Sequence, residues 1–73
     1  MENFKEVYKT NFAAVFAAAL RFLKDYDQAR DLAQDVFTDL WMHRDKYIGA
    51  ENLQAYLITT TKHKAIDYYR KNV

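Results

Sequence analysis

Apolar residues recur at helical spacing across residues 29–41, and this periodicity constrains the fold more than any other feature of the chain. The residues that form the stripe are Ala29, Leu32, Ala33, Val36, Phe37, Leu40 and Trp41. An apolar stripe with a period near 3.6 residues is typical of an amphipathic helix that buries one side against a core. With no proline and one glycine among 73 residues, the rest of the chain also favours helix.

The same spacing predicts three main helices, at about residues 3–24, 28–46 and 53–71. Asp25 or Asp27 is the predicted N-cap of the second helix, and Asp25 with Gln28 forms a capping-box pattern. Gly49, the only glycine, is expected to stop that helix or to permit a tight bend. Because the connections are short, neighbouring helices must pack against one another. We therefore expect an all-α fold, a compact bundle of three main helices in one domain of residues 1–73.

The chain lacks the side chains of most catalytic and metal sites. It contains no cysteine and no serine, so it has neither thiolate ligands nor a serine nucleophile. His43 and His63 form no zinc motif, and no glycine-rich phosphate loop is present. The aspartates between residues 27 and 39 lack the spacing of a calcium loop. We therefore expect no enzymatic activity and no metal or other cofactor.

The hydropathy pattern gives no sign of a membrane protein. The longest apolar run, residues 12–20, is mostly alanine and is too short for a membrane span. The first ten residues carry both lysine and glutamate, unlike a signal peptide. The simplest interpretation is a cytoplasmic protein with no membrane partner.

Charge is distributed unevenly along the chain. Residues 1–45 contain six Lys or Arg against eight Asp or Glu, whereas residues 46–73 contain five against two. Four aspartates lie between Asp27 and Asp39, although aspartate is a poor residue for a helix interior. An acidic front and a basic rear suggest two kinds of partner. The alternatives are a solvated acidic face and a charge imbalance that arose by chance.

The third predicted helix has one packing side and one polar side. The predicted packing side contains Leu53, Tyr56, Leu57, Thr60, Thr61, Lys64, Ala65 and Tyr68. The opposite side contains Thr59, Lys62, His63, Ile66 and Arg70. Small hydroxyls beside lysine and histidine can approach a phosphate backbone closely. Nucleic-acid binding is therefore one hypothesis for this side, and a wet polar helix face is the alternative.

Most of the aromatic residues are expected in the core, since aromatic rings dominate the packing of small helical bundles. The predicted core rings are Phe4, Phe12, Phe16, Phe37 and Trp41. Tyr68 and Tyr69 are adjacent and cannot both face the core. Exposed aromatic rings beside lysine and arginine can stack on unpaired bases.

Two segments together resemble a known family. The stretch Ala29-Arg-Asp-Leu-Ala-Gln-Asp-Val-Phe-Thr-Asp-Leu-Trp41 resembles the Ala-x-Asp-Leu-x-Gln-Glu-Val-Phe-x-x-x-Trp motif of bacterial sigma factors. The stretches Asn52-Leu-Gln-Ala-Tyr-Leu57 and Ala65-Ile-Asp-Tyr-Tyr-Arg-Lys71 are similar to the family's Asn-Leu-x-Ala-Trp-Leu and Ala-x-Asp-x-x-Arg-Lys. The best resemblance is to region two of the extracytoplasmic-function group, and it covers nearly the whole chain.

The resemblance implies a docking surface for RNA polymerase. Region two of such factors docks on the clamp helices of the largest polymerase subunit, through the helix that carries the first motif. The positions that match are Asp31, Leu32, Gln34, Asp35 and Phe37. Short carboxylates and an amide can accept hydrogen bonds from arginine side chains of a partner coiled coil.

The resemblance also implies contact with the non-template single strand of the melted minus-ten promoter element. In the family, the loop before the last helix accepts a flipped base, which costs least when the base is already unpaired. The matching loop is Tyr47, Ile48, Gly49, Ala50, Glu51 and Asn52. Thr59, Lys62 and His63 are expected beside the strand, with Arg70 and Lys71 on upstream phosphates.

Some features depart from the family pattern. The family often has tryptophan where this chain has Tyr56, a position expected to be packed, and asparagine where it has His63. Family members also carry a region four, for which no segment follows Val73. An anti-sigma factor is a further expected partner, because such inhibitors cover the same surface. The alternative function is a helical protein-interaction domain without DNA binding.

Overall fold

The computed structural model describes residues 3–47 and 51–71, and these residues form four helices. They are α1 (Phe4–Leu23), α2 (Tyr26–Met42), α3 (Arg44–Tyr47) and α4 (Leu53–Lys71). No strand occurs among the described residues. The three long helices contact one another in every pairing, and α3 is a single turn after α2. The prediction of an all-α bundle with three main helices is therefore confirmed.

Local hydrogen bonds fix where α1 and α2 begin. The Asn3 side chain accepts a hydrogen bond of 2.9 Å from the Glu6 amide, and Asp25 accepts one of 2.9 Å from the Gln28 amide. A side-chain acceptor at this position satisfies an amide that has no partner within the first turn. Asp25, not Asp27, is therefore the N-cap, and α2 begins at Tyr26, two residues before the predicted start.

The connection between α1 and α2 consists of two residues. Lys24 has φ 56° and ψ 28°, in the left-handed region that normally favours glycine. Its amide donates a hydrogen bond of 2.8 Å to the Leu20 carbonyl, which closes the last turn of α1. Because the connection is so short, α1 and α2 pack side by side as neighbours.

The second helix ends at Met42, four residues before the predicted end. His43 follows with φ −118°, outside helical geometry, and its amide donates to the carbonyl oxygens of Asp39 and Leu40. The helical turn α3 then contains residues 44–46, which the apolar spacing predicts at the end of the second helix. Gly49 lies outside the described residues, so its expected role in stopping the helix stays a prediction.

The core is formed by aliphatic residues of all three long helices around one buried ring. Its main cluster contains Val7, Val15, Ala33, Val36, Phe37, Leu40, Leu53 and Leu57, and a second contains Ala19, Leu23, Ala29, Leu32 and Ala65. The apolar stripe predicted for α2 is confirmed with one exception. Trp41 is 45% exposed, because it lies at the end of the helix, where Phe4 is its one ring neighbour among the described residues.

Of the other predicted core rings, Phe37 is buried, whereas Phe4, Phe12 and Phe16 are half-buried. On the packing side predicted for α4, Leu53, Leu57, Thr61 and Ala65 are buried and Tyr56 is exposed.

Two buried polar residues, Asn11 of α1 and Thr61 of α4, lie in the core. Asn11 donates from Nδ2 to the Val7 carbonyl at 2.9 Å and accepts a hydrogen bond of 3.2 Å from Gln54 Nε2, which joins α1 to α4. The Thr61 hydroxyl donates to the Leu57 carbonyl at 2.7 Å. Each buried polar side chain is thus hydrogen-bonded, as the cost of burying an unpaired polar group requires.

Candidate partner-binding surfaces

The aspartates of α2 form an acidic ridge, which consists of Asp27, Asp31, Asp35 and Asp39. They recur every four residues, so they lie on the same side of the helix, and all four are exposed. The two at the ends have cationic neighbours: Asp27 lies 4.0 Å from Arg30, and Asp39 lies 3.1 Å from Lys64. Within residues 3–47 and 51–71, Asp31 and Asp35 form no ion pair. The centre of the ridge is therefore open to a cation from a partner.

Gln34 lies beside the acidic ridge, on the side of α2 that faces α1. Its amide nitrogen donates a hydrogen bond of 2.8 Å to the hydroxyl of Tyr8 on α1. This bond holds the amide in one orientation, which leaves the carbonyl oxygen as an acceptor for a partner. The exposed face of α2 therefore presents two carboxylates and an oriented amide within about one helical turn.

Leu32 and Phe37 require a correction. The apolar spacing predicts both in the core, whereas the resemblance also places them in the docking surface, with Phe37 alternatively in the core alone; only 6% of Leu32 and 1% of Phe37 is exposed, so both lie in the core. They belong to the apolar stripe of α2, and burial against the other helices keeps their side chains from the outer face. Each forms the floor of a groove beside α2 and supports the exposed residues from beneath.

Two of the grooves that flank α2 adjoin Gln34 and the centre of the acidic ridge. The larger, which we call the aromatic groove, has a volume of about 370 Å³ and lies between α1 and α2. It is lined by Phe4, Tyr8, Gln34, Phe37, Thr38 and Trp41. The smaller has a volume of about 110 Å³ and lies towards α4, lined by Gln28, Asp31, Leu32, Asp35 and Tyr68.

The polar side of α4 is exposed, as its sequence predicts. The exposed residues on it include Thr59, Lys62, His63, Ile66, Arg70 and Lys71. Leu57, Thr61 and Ala65 hold the opposite side of the helix in the core. In the described part of the chain, Lys62 has no carboxylate within ion-pair distance, so its charge is available to an anion.

An aromatic stack joins α3 to α4. The rings of Tyr47 and Tyr56 are 4.4 Å apart at an interplanar angle of 21°, and Lys46 Nζ lies 5.6 Å from the Tyr47 ring. Partial burial and a hydrogen bond with Tyr47 raise the pKa of the Tyr56 hydroxyl above its ordinary value. Contrary to the expectation that Tyr56 is packed, it is 37% exposed. No local sequence pattern predicts this stack, because it joins side chains of two different helices.

The remaining residues expected at the DNA surface divide into two groups. Glu51 and Asn52 are exposed in the turn before α4, where Asn52 has φ 65° and its carbonyl accepts the Tyr56 amide at 3.2 Å. Ile48, Gly49 and Ala50 lie outside the described residues.

Neither a metal site nor a membrane span emerges from the described residues. Within them, no three His, Cys, Asp or Glu side chains are close enough together to hold a metal ion. No helix among them is long and apolar enough to cross a membrane.

The fold and its surfaces define a small helical domain with an acidic helix face and a separate basic helix face. The model of one sequence family, Sigma-70 region 2, matches residues 7–73. The chain is also similar to the ECF RNA polymerase sigma factor SigX of Bacillus subtilis (strain 168), with 27% identity over 70 residues. No solved structure matches the chain significantly. The match to residues 7–73 shows that the chain belongs to the sigma-70 region 2 family.

The comparison with SigX covers very different shares of the two proteins. It includes 96% of this chain but only 36% of the relative. The chain thus spans about a third of the length of the curated relative that it matches.

Proposed function

We propose that this domain is a binding module of transcription initiation, without enzymatic activity, that docks on RNA polymerase and contacts melted promoter DNA. The α2 face formed by Asp31, Gln34 and Asp35 binds the clamp helices of the largest polymerase subunit. The α4 face and the segment of residues 47–52 contact the non-template single strand of the minus-ten element. An anti-sigma factor competes for the same surfaces.

The observation that carries the docking proposal is the open centre of the acidic ridge. Asp31 and Asp35 are exposed and, among the described residues, form no ion pair, while the aspartates at both ends of the ridge do. Carboxylates accept paired hydrogen bonds from arginine guanidinium groups, and such charge-assisted bonds are shorter and stronger than neutral ones. A basic partner helix therefore finds its best match at the middle of α2.

Two observations support contact with DNA. Thr59, Lys62 and His63 are exposed on the polar side of α4, where hydroxyl and cationic groups can bond to phosphates. The stacked rings of Tyr47 and Tyr56 lie at the end of α4 that follows the turn, and rings in such positions can stack on unpaired bases. Residues 46–73 contain only five cationic side chains, so we expect the free domain to bind DNA weakly.

Docking is tested by titrating the labelled domain with the isolated clamp coiled coil and comparing Asp35→Lys with Asp27→Lys. Both variants make the same charge change on exposed residues of α2, but only the first lies at the open centre of the ridge. We expect Asp35→Lys to weaken binding by about a hundredfold and Asp27→Lys by less than about threefold. Circular dichroism checks that both variants keep the helical content of the wild type. If the folded wild-type domain does not bind the coiled coil, the docking proposal is wrong.

Contact with DNA is tested separately, with the domain bound to core polymerase and a labelled single-stranded minus-ten oligonucleotide. We expect Lys62→Glu to weaken oligonucleotide binding by about tenfold while clamp binding stays unchanged. The matched control is Lys5→Glu, an exposed lysine of α1. If Lys62→Glu has no effect on the oligonucleotide, the domain is better described as a helical protein-interaction module without DNA contact.

A further inference from the structure

The aromatic groove between α1 and α2 is a concave, mainly apolar surface beside the proposed charged contacts of Asp31 and Asp35. Its walls are the rings of Phe4, Tyr8 and Trp41, and its floor is the buried ring of Phe37. Gln34 and Thr38, both exposed, form its polar rim. A concave apolar surface with a few polar groups at its edge is typical of a binding site.

The groove walls are held in place by ring contacts. The rings of Phe4 and Trp41 meet edge to face with centroids 4.9 Å apart, and the rings of Tyr8 and Phe37 are 4.8 Å apart. The Arg44 guanidinium also lies 4.0 Å from the centroid of the Trp41 ring, and Arg44 Nη1 donates to the Trp41 carbonyl at 2.9 Å. Trp41 is therefore fixed although 45% of it is exposed. A preformed groove binds a partner without the entropy cost of ordering its walls.

The groove is continuous with the proposed docking surface. Gln34 lines the groove and is adjacent in sequence to Asp35, whose carboxylate lies on the α4 side of the same exposed helix face. Tyr8 connects the two parts, because its ring lines the groove and its hydroxyl accepts the hydrogen bond from Gln34. Gln34 and Thr38 are exposed on α2 beside Asp31 and Asp35, so a helix that lies across α2 and pairs with both carboxylates lies next to the rim of the groove.

We propose that the groove receives one large apolar side chain from the polymerase clamp helix whose basic residues pair with Asp31 and Asp35. This inference rests on the proposed function and adds a feature that the partner must have. The partner helix presents an aliphatic or aromatic residue within about one turn of its basic residues, on the side that faces α1. The charged pairs select a basic helix, and the groove then fixes the position of that helix along α2.

Thr38→Trp tests the inference, because it fills the groove from the rim and removes no core atom. Thr10→Trp is the matched control, since Thr10 is also exposed in a helix but lines none of the grooves described above. We expect Thr38→Trp to weaken binding of the clamp coiled coil by at least about tenfold and Thr10→Trp by less than about twofold. Circular dichroism and the midpoint of thermal unfolding verify that both variants fold.

The outcomes separate this inference from the proposed function. If Asp35→Lys abolishes binding and folded Thr38→Trp binds as tightly as the wild type, the docking surface stands and the groove inference is wrong. If neither variant affects binding, the docking surface itself is wrong, and the inference is overturned with it. Sedimentation of the free domain tests another occupant: a wild-type dimer that Thr38→Trp converts to a monomer would assign the groove to self-association and overturn the inference.

Discussion

Lys64 on α4 lies 3.1 Å from the carboxylate of Asp39 on α2, and this ion pair joins the two helices that carry the two candidate surfaces. It neutralises one end of the acidic ridge and keeps Lys64 away from the exposed basic face of α4. The side chain of Lys64 is 28% exposed and that of Asp39 is 53% exposed, so solvent screens the pair only in part. Together with the contact between Asp27 and Arg30 at the other end, the pair limits the open part of the ridge to Asp31 and Asp35.

A double-mutant cycle with Lys64→Met and Asp39→Asn measures the strength of this pair. We expect a coupling free energy of about 0.5 kcal/mol, because solvent weakens the attraction within a partly exposed ion pair. The measurement is the free energy of unfolding in urea. The matched cycle at Asp27 and Arg30, which are 4.0 Å apart and far more exposed, should give a coupling near zero. Equal coupling in the two cycles would show that Lys64 and Asp39 gain nothing from their position between helices.

Lys24→Gly should stabilise the domain. Lys24 has a left-handed backbone, which a residue with a Cβ adopts at a cost of about 1 kcal/mol and which glycine adopts freely. Part of this gain is offset by the greater entropy of glycine in the unfolded chain, so we expect a net increase of about 0.5 kcal/mol in the free energy of unfolding. Thermal and urea unfolding measure this change in the free energy of unfolding.

The control for this prediction is Lys9→Gly, which lies within α1 in helical geometry. That substitution should instead destabilise the domain by about 1 kcal/mol, since glycine is a poor residue for a helix interior. A destabilising Lys24→Gly would mean that the Lys24 side chain makes a contribution larger than the backbone strain.

Tyr8→Phe should weaken docking with little effect on stability. The variant keeps the ring that lines the aromatic groove and removes the hydroxyl that accepts the hydrogen bond from Gln34. Because the lost bond is exposed, we expect the free energy of unfolding to fall by less than about 1 kcal/mol. The Gln34 amide is then free to rotate, and we expect the affinity for the clamp coiled coil to fall by about threefold to tenfold. Fluorescence anisotropy of the labelled domain measures this affinity.

Tyr26→Phe is the control, since it removes a hydroxyl from a tyrosine that is 72% exposed and lies away from the groove. It should bind as the wild type does. If Tyr8→Phe binds equally well, the orientation of Gln34 does not contribute to docking.

The Tyr47–Tyr56 stack should make stability fall at alkaline pH. Burial and the hydrogen bond with Tyr47 raise the pKa of Tyr56 above 10.0, so the folded state favours the neutral phenol. The stability that the neutral Tyr56 phenol contributes is complete below pH 10.0, the ordinary pKa of tyrosine. It is lost as the pH rises through the higher pKa that Tyr56 has in the folded state. The free energy of unfolding, measured from about pH 9 to about pH 11, should fall more steeply in the wild type than in Tyr56→Phe.

Tyr26→Phe serves again as the comparison, because Tyr26 is far more exposed than Tyr56. It should leave the alkaline loss of stability as steep as in the wild type. Identical slopes in all three proteins would contradict the raised pKa of Tyr56.

The sequence by itself determined the helical class, the three long helices and several of their ends. These features depend on interactions between residues a few positions apart, such as the apolar spacing at Leu32, Val36 and Leu40 and the cap formed by Asp25 on Gln28. The family, too, was evident from local motifs. The exposure of Asp31 and Asp35 follows from the same helical period, since both lie off the apolar stripe.

Only the tertiary structure decided which side chains of each helix remain accessible and which distant residues meet. A helical period shows which side of α2 is apolar, but not how far neighbouring helices cover it, so the apolar spacing predicted the burial of Leu32 and Phe37 but missed the exposure of Trp41. The stack of Tyr47 on Tyr56 and the aromatic groove likewise depend on where the helices cross. Such contacts join residues far apart in the chain, and the packing of the whole core, not local spacing, fixes their geometry.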